Sequence, residues 1–430
     1  MVGRDSEAQE HVRDGAKTAP RVSKMKALII MAMGALGFGM AEFVMMGLVP
    51  YIATDFQVSI AEAGHAISAY ALGVCLGVFY LIFTRKLNLK ISLMLVFAWH
   101  VLGLALCAIA PDFNTLLIAR VIAGIPHGCF FGLVAIIGIK VSKPGKGAMA
   151  LAIAFSGLAI SNIFGVPLGT QLAQMLNWRV IFYLSTAYGL LILALMFFLI
   201  PNVGAMVDHG FLKQFNFLKS PMPYVVGLGI ALGDGAIFAV QSYISPILTD
   251  FVGLALTTVP TILIIMGIVM TSYSFISGKL ADKFTPGKVT FAILASTGIV
   301  MLSSFFYGQV PGLGLILVIY ASSTIFALGG PQSVSMLKVS TGGELVGVAF
   351  SQIAFNSGNA IGAWMGGIPF AMGLSARFPL LVGAVLALLG LIFVGIYCYY
   401  YEAKVSAAPA AAPATPTSAT AEAEATSATA

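Results

Sequence analysis

Apolar residues in this chain run in long blocks, separated by short polar stretches. Blocks lie near 26–51, 62–83, 91–111, 113–140, 147–172, 177–201, 223–249, 257–281, 288–309, 312–338, 345–371 and 377–401. Each holds roughly the 20 mostly apolar residues that a helix needs to cross a hydrocarbon layer about 30 Å thick. Helices are the only form such blocks can take, because open sheet edges would leave backbone groups unpaired in lipid. Many glycines interrupt the blocks, as expected where membrane helices approach closely. The pattern predicts an all-α membrane protein with twelve transmembrane helices.

The polar stretches then orient the blocks. Arg4, Arg13, Lys17, Arg21, Lys24 and Lys26 precede the first one, and Arg85, Lys86, Lys90, Lys140, Lys143 and Lys146 follow on the same side. Lys213, Lys219, Lys279, Lys283, Lys288, Lys338 and Lys404 continue that series, whereas the opposite side holds only Arg179 and Arg377. Basic residues mark cytoplasmic connections, so both termini are expected in the cytoplasm of a multi-pass protein of the cytoplasmic membrane. This orientation needs an even number of spans. The connection 202–222 is the longest inside the chain and divides a half at 26–201 from a half at 223–401. Residues 1–25 are expected to be a polar cytoplasmic N-terminal tail, in which no cleavable leader is apparent. Residues 402–430 are Ala, Pro, Thr and Ser in the main and are expected to be a disordered cytoplasmic tail.

Composition agrees with lipid as the solvent. The chain is 59% hydrophobic and 9% charged, against roughly 25% charged residues in a soluble domain. A formal charge of +6 does not point to nucleic acid. Cys75, Cys107, Cys129 and Cys398 lie within apolar blocks without metal-ligand spacing, so neither a metal nor a cofactor is expected.

The halves also resemble each other. Thr54-Asp55-Phe56 at the end of the first block matches Thr249-Asp250-Phe251 at the end of the seventh. Asn162-x-x-Gly165-x-x-x-Gly169 in the fifth matches Asn359-x-x-Gly362-x-x-x-Gly366 in the eleventh, and Arg179 and Arg377 then correspond. Several matches in register argue for two pseudo-symmetric six-helix halves, the construction by which many secondary transporters alternate access to a midplane site.

The motifs resemble the major facilitator superfamily, and within it the bacterial drug:proton antiporter and arabinose-efflux-permease-like group. The resemblance covers 26–401. It is carried by Ala41-Glu42-Phe43-Val44, Gly47-Leu48-Val49-Pro50 and Ser68-Ala69-Tyr70-Ala71-Leu72-Gly73, and by Arg120-Val121-Ile122-Ala123-Gly124 followed by Pro126-His127-Gly128. It continues through Gly157 and Gly165-Val166-Pro167-Leu168-Gly169 with Trp178-Arg179 after them, which resemble the family's antiporter motif. The family's cytoplasmic loop motif is matched by Gly278-Lys279-Leu280-Ala281-Asp282-Lys283. Its counterpart after the second block, Thr84-Arg85-Lys86, keeps the basic residues and lacks the Asp. The resemblance implies the major facilitator fold, with conformational roles for Gly157, Gly165, Pro167, Gly169, Gly278, Asp282 and Lys283.

Ionisable residues within membrane spans are costly, and each one is a functional candidate. Glu42 leads. It lies about nine residues, or roughly 13 Å, from the outer end of its helix. Burial disfavours a carboxylate relative to its acid, and a carboxyl that takes a proton outside and releases it inside is what antiport requires. The alternative is a structural carboxylate locked to a partner. Arg120, at similar depth, is the expected partner; the pair would either break during transport or fix helix packing. Asp234, flanked by Gly233 and Gly235, falls within one turn of Glu42 in the repeat. It is expected to face the same cavity and bind a proton or cationic substrate, or else to tie helices together. His127, Gln241, Gln332, Asn356 and Asn359 are candidates for substrate binding, with helix–helix hydrogen bonding as the bland alternative.

These features point to a transporter that exports small organic solutes or drugs in exchange for protons, working as a monomer in the bilayer. Sugar or nucleoside efflux and uncoupled facilitation are the alternatives. No G-x-x-x-x-G-K-[ST] loop is present for ATP, and no HExxH or GxSxG motif suggests an enzyme.

Overall fold

The computed structural model describes residues 24–77, 79–80, 87–142, 147–205 and 211–403. Among these the only extended pairing is one isolated bridge, Asn88 with Ala205. The remainder is helix and connection. The first six helices are α1 (Lys24–Phe56), α2 (Ile60–Gly77), α3 (Leu89–Ala108), α4 (Phe113–Val141), α5 and α6 (Trp178–Leu199). Helix α5 runs from Gly147–Ile160 through a π turn at Ser161–Gly165 into Val166–Met175. The last six are α7 (Met222–Gln241), α8 (Val259–Lys283), α9 (Pro286–Tyr307), α10, α11 (Glu344–Ala371) and α12 (Phe378–Tyr397).

Three elements depart from the sequence reading. The block at 223–249 is not one straight helix: α7 stops at Gln241, and Ile244–Pro246 and a π turn at Ile247–Phe251 complete the crossing. Helix α10 is Leu313–Ser323 and Ile325–Val339, joined at Thr324. Glu402, placed by sequence in the tail, ends a π turn continuing α12 (Cys398–Glu402) and is buried. Burial follows from its partners: it accepts hydrogen bonds from the Thr285 hydroxyl (2.6 Å) and the Gly287 amide (2.9 Å) at the start of α9. Residues 1–23, the loop motif Thr84-Arg85-Lys86, Lys143, Lys146 and residues 404–430 lie outside the described residues.

Helix starts are set by side chains. Ser59 and Glu62 bond reciprocally before α2, a capping box in which the Ser59 amide and hydroxyl each donate to Glu62 at 2.8 Å. Asp112 accepts from the Thr115 amide (2.8 Å) and hydroxyl (2.9 Å) to cap α4, and these donors hold its carboxyl below the usual range. Lys24, Lys90, Lys140, Lys283, Lys288 and Lys338 all fall at helix ends on one face of the bundle, hereafter the basic face. On the far face, Asp55 after Pro50 of α1 forms an ion pair with Arg179 and accepts from Trp178 Nε1 at 3.0 Å.

Among the described residues, eleven helices are long and apolar enough to cross a membrane by themselves. Helix α11 is the exception, since it carries Ser351, Gln352, Asn356, Ser357 and Asn359. Helix α2 has the lowest mean hydropathy of the eleven. These two least apolar helices lie against each other across the seam between the first six helices and the last six. The contact runs their whole length: Ala61 beside Gly367 near the far face, the Ser68 hydroxyl on the Ala360 carbonyl (3.0 Å), and Cys75 Sγ on the Ile353 carbonyl (3.6 Å) toward the basic face. Polar residues are thereby kept out of lipid and concentrated where the halves meet.

Candidate functional site

The site begins on α1, where Glu42 is 3% exposed. Its Oε1 accepts a hydrogen bond of 3.1 Å from Asn359 Nδ2 of α11, a residue 317 positions away in the other half. Its Oε2 lies 3.8 Å from Nε2 of His127 on α4. The other ring nitrogen, Nδ1, is 2.9 Å from the Tyr70 hydroxyl of α2. Four helices therefore bring Asn359, Glu42, His127 and Tyr70 into one buried polar chain. The phenol and imidazole share a hydrogen bond, the carboxyl lies just beyond hydrogen-bond reach of the imidazole, and the amide at one end ties the chain to the opposite half.

Arg120 sits beside this chain and close enough to Glu42 for their charges to interact, but without a contact at ion-pair distance. Its Nε donates to the Ala66 carbonyl (3.0 Å) and Nη1 to the Ala41 carbonyl (2.7 Å), while the guanidinium lies 4.2 Å from the Tyr70 ring centroid. A planar fork suits two carbonyls and an aromatic face at once. The sequence reading matched Arg120 to Glu42 by depth alone; the backbone acceptors of α1 and α2 were invisible to it. Nη2 has no hydrogen-bond partner among the described residues.

Asp234 is 1% exposed and turns into the last six helices instead of the seam. Its Oδ1 accepts from Gln332 Nε2 of α10 at 3.0 Å, and Oδ2 has no partner among the described residues. Gln332, His127 and Asn359 thus lie against the two carboxyls; the bonds of Gln332 and Asn359 are of the helix-tying kind that the sequence offers as the alternative to substrate binding. Gln241 and Asn356 are buried, each with a free side-chain oxygen, and Asn356 Nδ2 donates to the Gln352 carbonyl. Gln241 lines a small cavity across the seam together with Asn162, Phe43, Met46, Met266 and Met270.

The conformational candidates are spread out. Gly157, Gly165 and Gly169 bring α5 against α1, at Ala32, Met40 and Val44. Pro167 follows the π turn and supplies the first turn of the next helical segment. Gly278, Asp282 and Lys283 lie near the end of α8 on the basic face, with Asp282 and Lys283 exposed. Tyr70 is the participant that sequence reasoning left without a role. A tyrosine deep in a membrane span needs a partner for its hydroxyl, and that requirement was the available signal.

The major facilitator superfamily pattern matches residues 31–353. The chain belongs to the major facilitator superfamily. As a member of it, the chain is a multi-pass membrane transporter. It is 34% identical over 363 residues to the Escherichia coli K12 protein named "Putative transporter AraJ", covering 84% of this chain and 92% of that one. It is 33% identical over 369 residues to "Inner membrane transport protein YdhP" of the same organism, covering 85% and 94%. Among solved structures, a bacterial homologue of the human lysosomal transporter Spinster, inward-facing and unoccupied, superposes with a TM-score of 0.72 at 16% identity, covering 90% of this chain and 98% of that one.

Proposed function

We propose that this transporter exports small organic solutes or drugs across the cytoplasmic membrane in exchange for protons, with Glu42 as the proton carrier and its bond to Asn359 as the coupling element. The observation that carries this reading is that bond: a buried carboxyl of one half accepts directly from an amide of the other. A hydrogen bond to an ionised acceptor is roughly twice as strong as a neutral one. Ionised Glu42 holds the halves together at this level, and protonation weakens the hold and lets them rock. His127 and Tyr70 form the route by which the proton reaches or leaves the carboxyl.

The basic face lies in the cytoplasm in this reading, as the placement of lysines favours. Contacts across the seam toward the far face, Gln174 Nε2 to the Leu256 carbonyl (3.0 Å) and the Tyr243 hydroxyl beside Gly64, then close the periplasmic side. The cavity lined by Phe43, Met46, Asn162, Gln241, Met266 and Met270 offers apolar and thioether surface with two amides. Such a lining suits amphipathic organic molecules, because methionine adapts to varied shapes.

The test is substrate-driven proton movement in proteoliposomes, with drugs, sugars and nucleosides screened against wild type and Glu42→Gln. Proton flux with one compound class, abolished in Glu42→Gln while that compound still binds, supports coupled export. Substrate movement without proton flux, equal in both proteins, leaves a facilitator and removes the proton role of Glu42.

A further inference from the structure

Asp234 has no place in the seam, yet it is a buried carboxyl with a free oxygen. Below it, toward the basic face, a narrow cavity lies wholly within the last six helices. Ile230 of α7, one turn from Asp234, borders it, as do Thr290 of α9, Ser335 of α10 and Tyr397 of α12. Gln332 forms its upper end, and this is the same side chain that donates to Asp234 Oδ1. Gly287 forms its lower end, and the amide of Gly287 donates to Glu402.

We propose that this cavity holds a water that relays protons, within the C-terminal bundle, between Asp234 and the basic face at Glu402. Buried water needs space and polar partners; the cavity has room for about one water, and Thr290, Ser335 and Tyr397 are the hydroxyl-bearing residues of its mainly apolar lining. The Tyr397 hydroxyl is buried, lies beside Ser335 and has no hydrogen bond of acceptable geometry among the described residues. The Ser335 and Thr290 hydroxyls each donate to a carbonyl of their own helix, which leaves their oxygens free to accept from water. From Gln332 to Lys338 at the end of α10 the distance is only about 9 Å at helical rise. When Gln332 swings aside, the proton on Asp234 passes to cavity water, leaving the carboxylate, and the resulting hydronium is drawn toward Glu402. The same route in reverse restores the acid.

The charged and titratable groups around this path sit at its ends. Asp234 meets Gln332 from α10, Leu294 from α9, Gly390 from α12 and Gly358 from α11 through its flanking glycines, and none of these is charged. Glu402 meets Thr285 and Gly287 of the α9 start, Lys338 at 3.8 Å and its own neighbours Tyr397 and Tyr401, with Lys288 near Cys398. From the Glu402 end of the cavity the proton passes on to solvent.

The path rests on Asp234 exchanging protons, as the antiport reading allows, but its test needs no substrate. The full chain in lipid vesicles is switched from H2O to D2O buffer, and the carboxylic-acid C=O band lost in Asp234→Asn is followed by infrared spectroscopy. The band lost in Glu42→Gln serves as the internal control. Ser335→Leu, which fills the cavity, is expected to slow exchange of the Asp234 band about tenfold, equivalent to about 1.4 kcal/mol on the barrier, with the Glu42 band unchanged. Tyr397→Phe and Thr290→Val remove polar partners without added bulk and carry the test if Ser335→Leu fails to fold. Wild-type exchange of Asp234 in all of these, equal slowing of both bands, or no band assignable to Asp234 overturns the path. Failure of antiport in the Glu42→Gln experiment leaves this result standing by itself.

Discussion

Two buried carboxyls at similar depth in duplicated halves have opposite surroundings. Glu42 reaches across the seam to Asn359, and Asp234 turns inward to Gln332. The same contrast recurs at the far-face ends of the helices, where Asp55 pairs with Arg179, whereas among the described residues no ion pair joins the corresponding Asp250 and Arg377. Asp250 instead accepts from Thr249 (2.6 Å), and Arg377 lies 4.9 Å from the Phe305 ring. Packing differs as well. Helix α11 rides on the backbone of α7, with Gly358, Gly362 and Gly366 against the carbonyls of Ala231, Gly235 and Ala239, while Gly165 and Gly169 of α5 meet the side chains Met40 and Val44 of α1. Duplication supplied the scaffold twice, and the polar groups then diverged: one half carries its acid at the moving seam, the other inside a tightly fitted bundle.

The packing contrast is the easiest to break. A methyl group added at Gly362 runs into the Gly235 carbonyl, so Gly362→Ala is expected to destabilise the protein by about 1–3 kcal/mol, the usual cost of overpacking. Gly165→Ala meets only the flexible thioether of Met40, which swings aside, and its cost is smaller. Thermal unfolding in detergent compares the two; equal losses would deny the difference between the bundles. Next in size is Arg120→Lys, which keeps the charge and loses the fork that reaches both Ala41 and Ala66. A loss of about 2 kcal/mol is expected from the broken charged hydrogen bonds, and an unchanged melting temperature would show that charge alone matters at this position.

The smallest effect is the most direct test of the seam. Interhelical hydrogen bonds in membranes average about 0.6 kcal/mol, so Asn359→Ala should shift the balance between open and closed arrangements about threefold. Spin-label distances between the basic-face ends of α4 and α10 read that shift. Gln332→Ala removes the corresponding bond inside the C-terminal bundle and should leave those distances where they were. A shift in Gln332→Ala as large as in Asn359→Ala would erase the distinction between the two carboxyls.

The spans were legible because lipid imposes their length and apolar character, and the repeat was legible because Asn162 and Asn359 keep their spacing to following glycines. Helix α11 was found in the sequence at 345–371, although its composition falls short of the other eleven. The partner of Glu42 was not legible as such. Asn359 is 317 residues away, and depth along a helix says nothing about which side of it a residue occupies. Depth therefore suggested Arg120 for Glu42 and a shared cavity for Asp234. The geometry gives Arg120 to backbone carbonyls and Asp234 to Gln332. The break after Gln241 does have a signal in the sequence: Pro246 cannot donate to the Ser242 carbonyl and its ring crowds that carbonyl, which interrupts the helix one turn before the proline.

Helix α11 also has a consequence for how the chain is made. Insertion into a bilayer follows the apolar character of each segment as it leaves the ribosome, and a segment bearing Ser351, Gln352, Asn356, Ser357 and Asn359 partitions into lipid weakly by itself. Its backbone-close seat on α7 and its contact with α2 supply what composition withholds. Helices α2 and α7 are both synthesised before α11, so the groove that receives it is in place when it emerges. Stable residence of this segment in the membrane is therefore an outcome of assembly, and mutations that loosen α7 should appear first as chains in which α11 slips out of the bilayer during biogenesis.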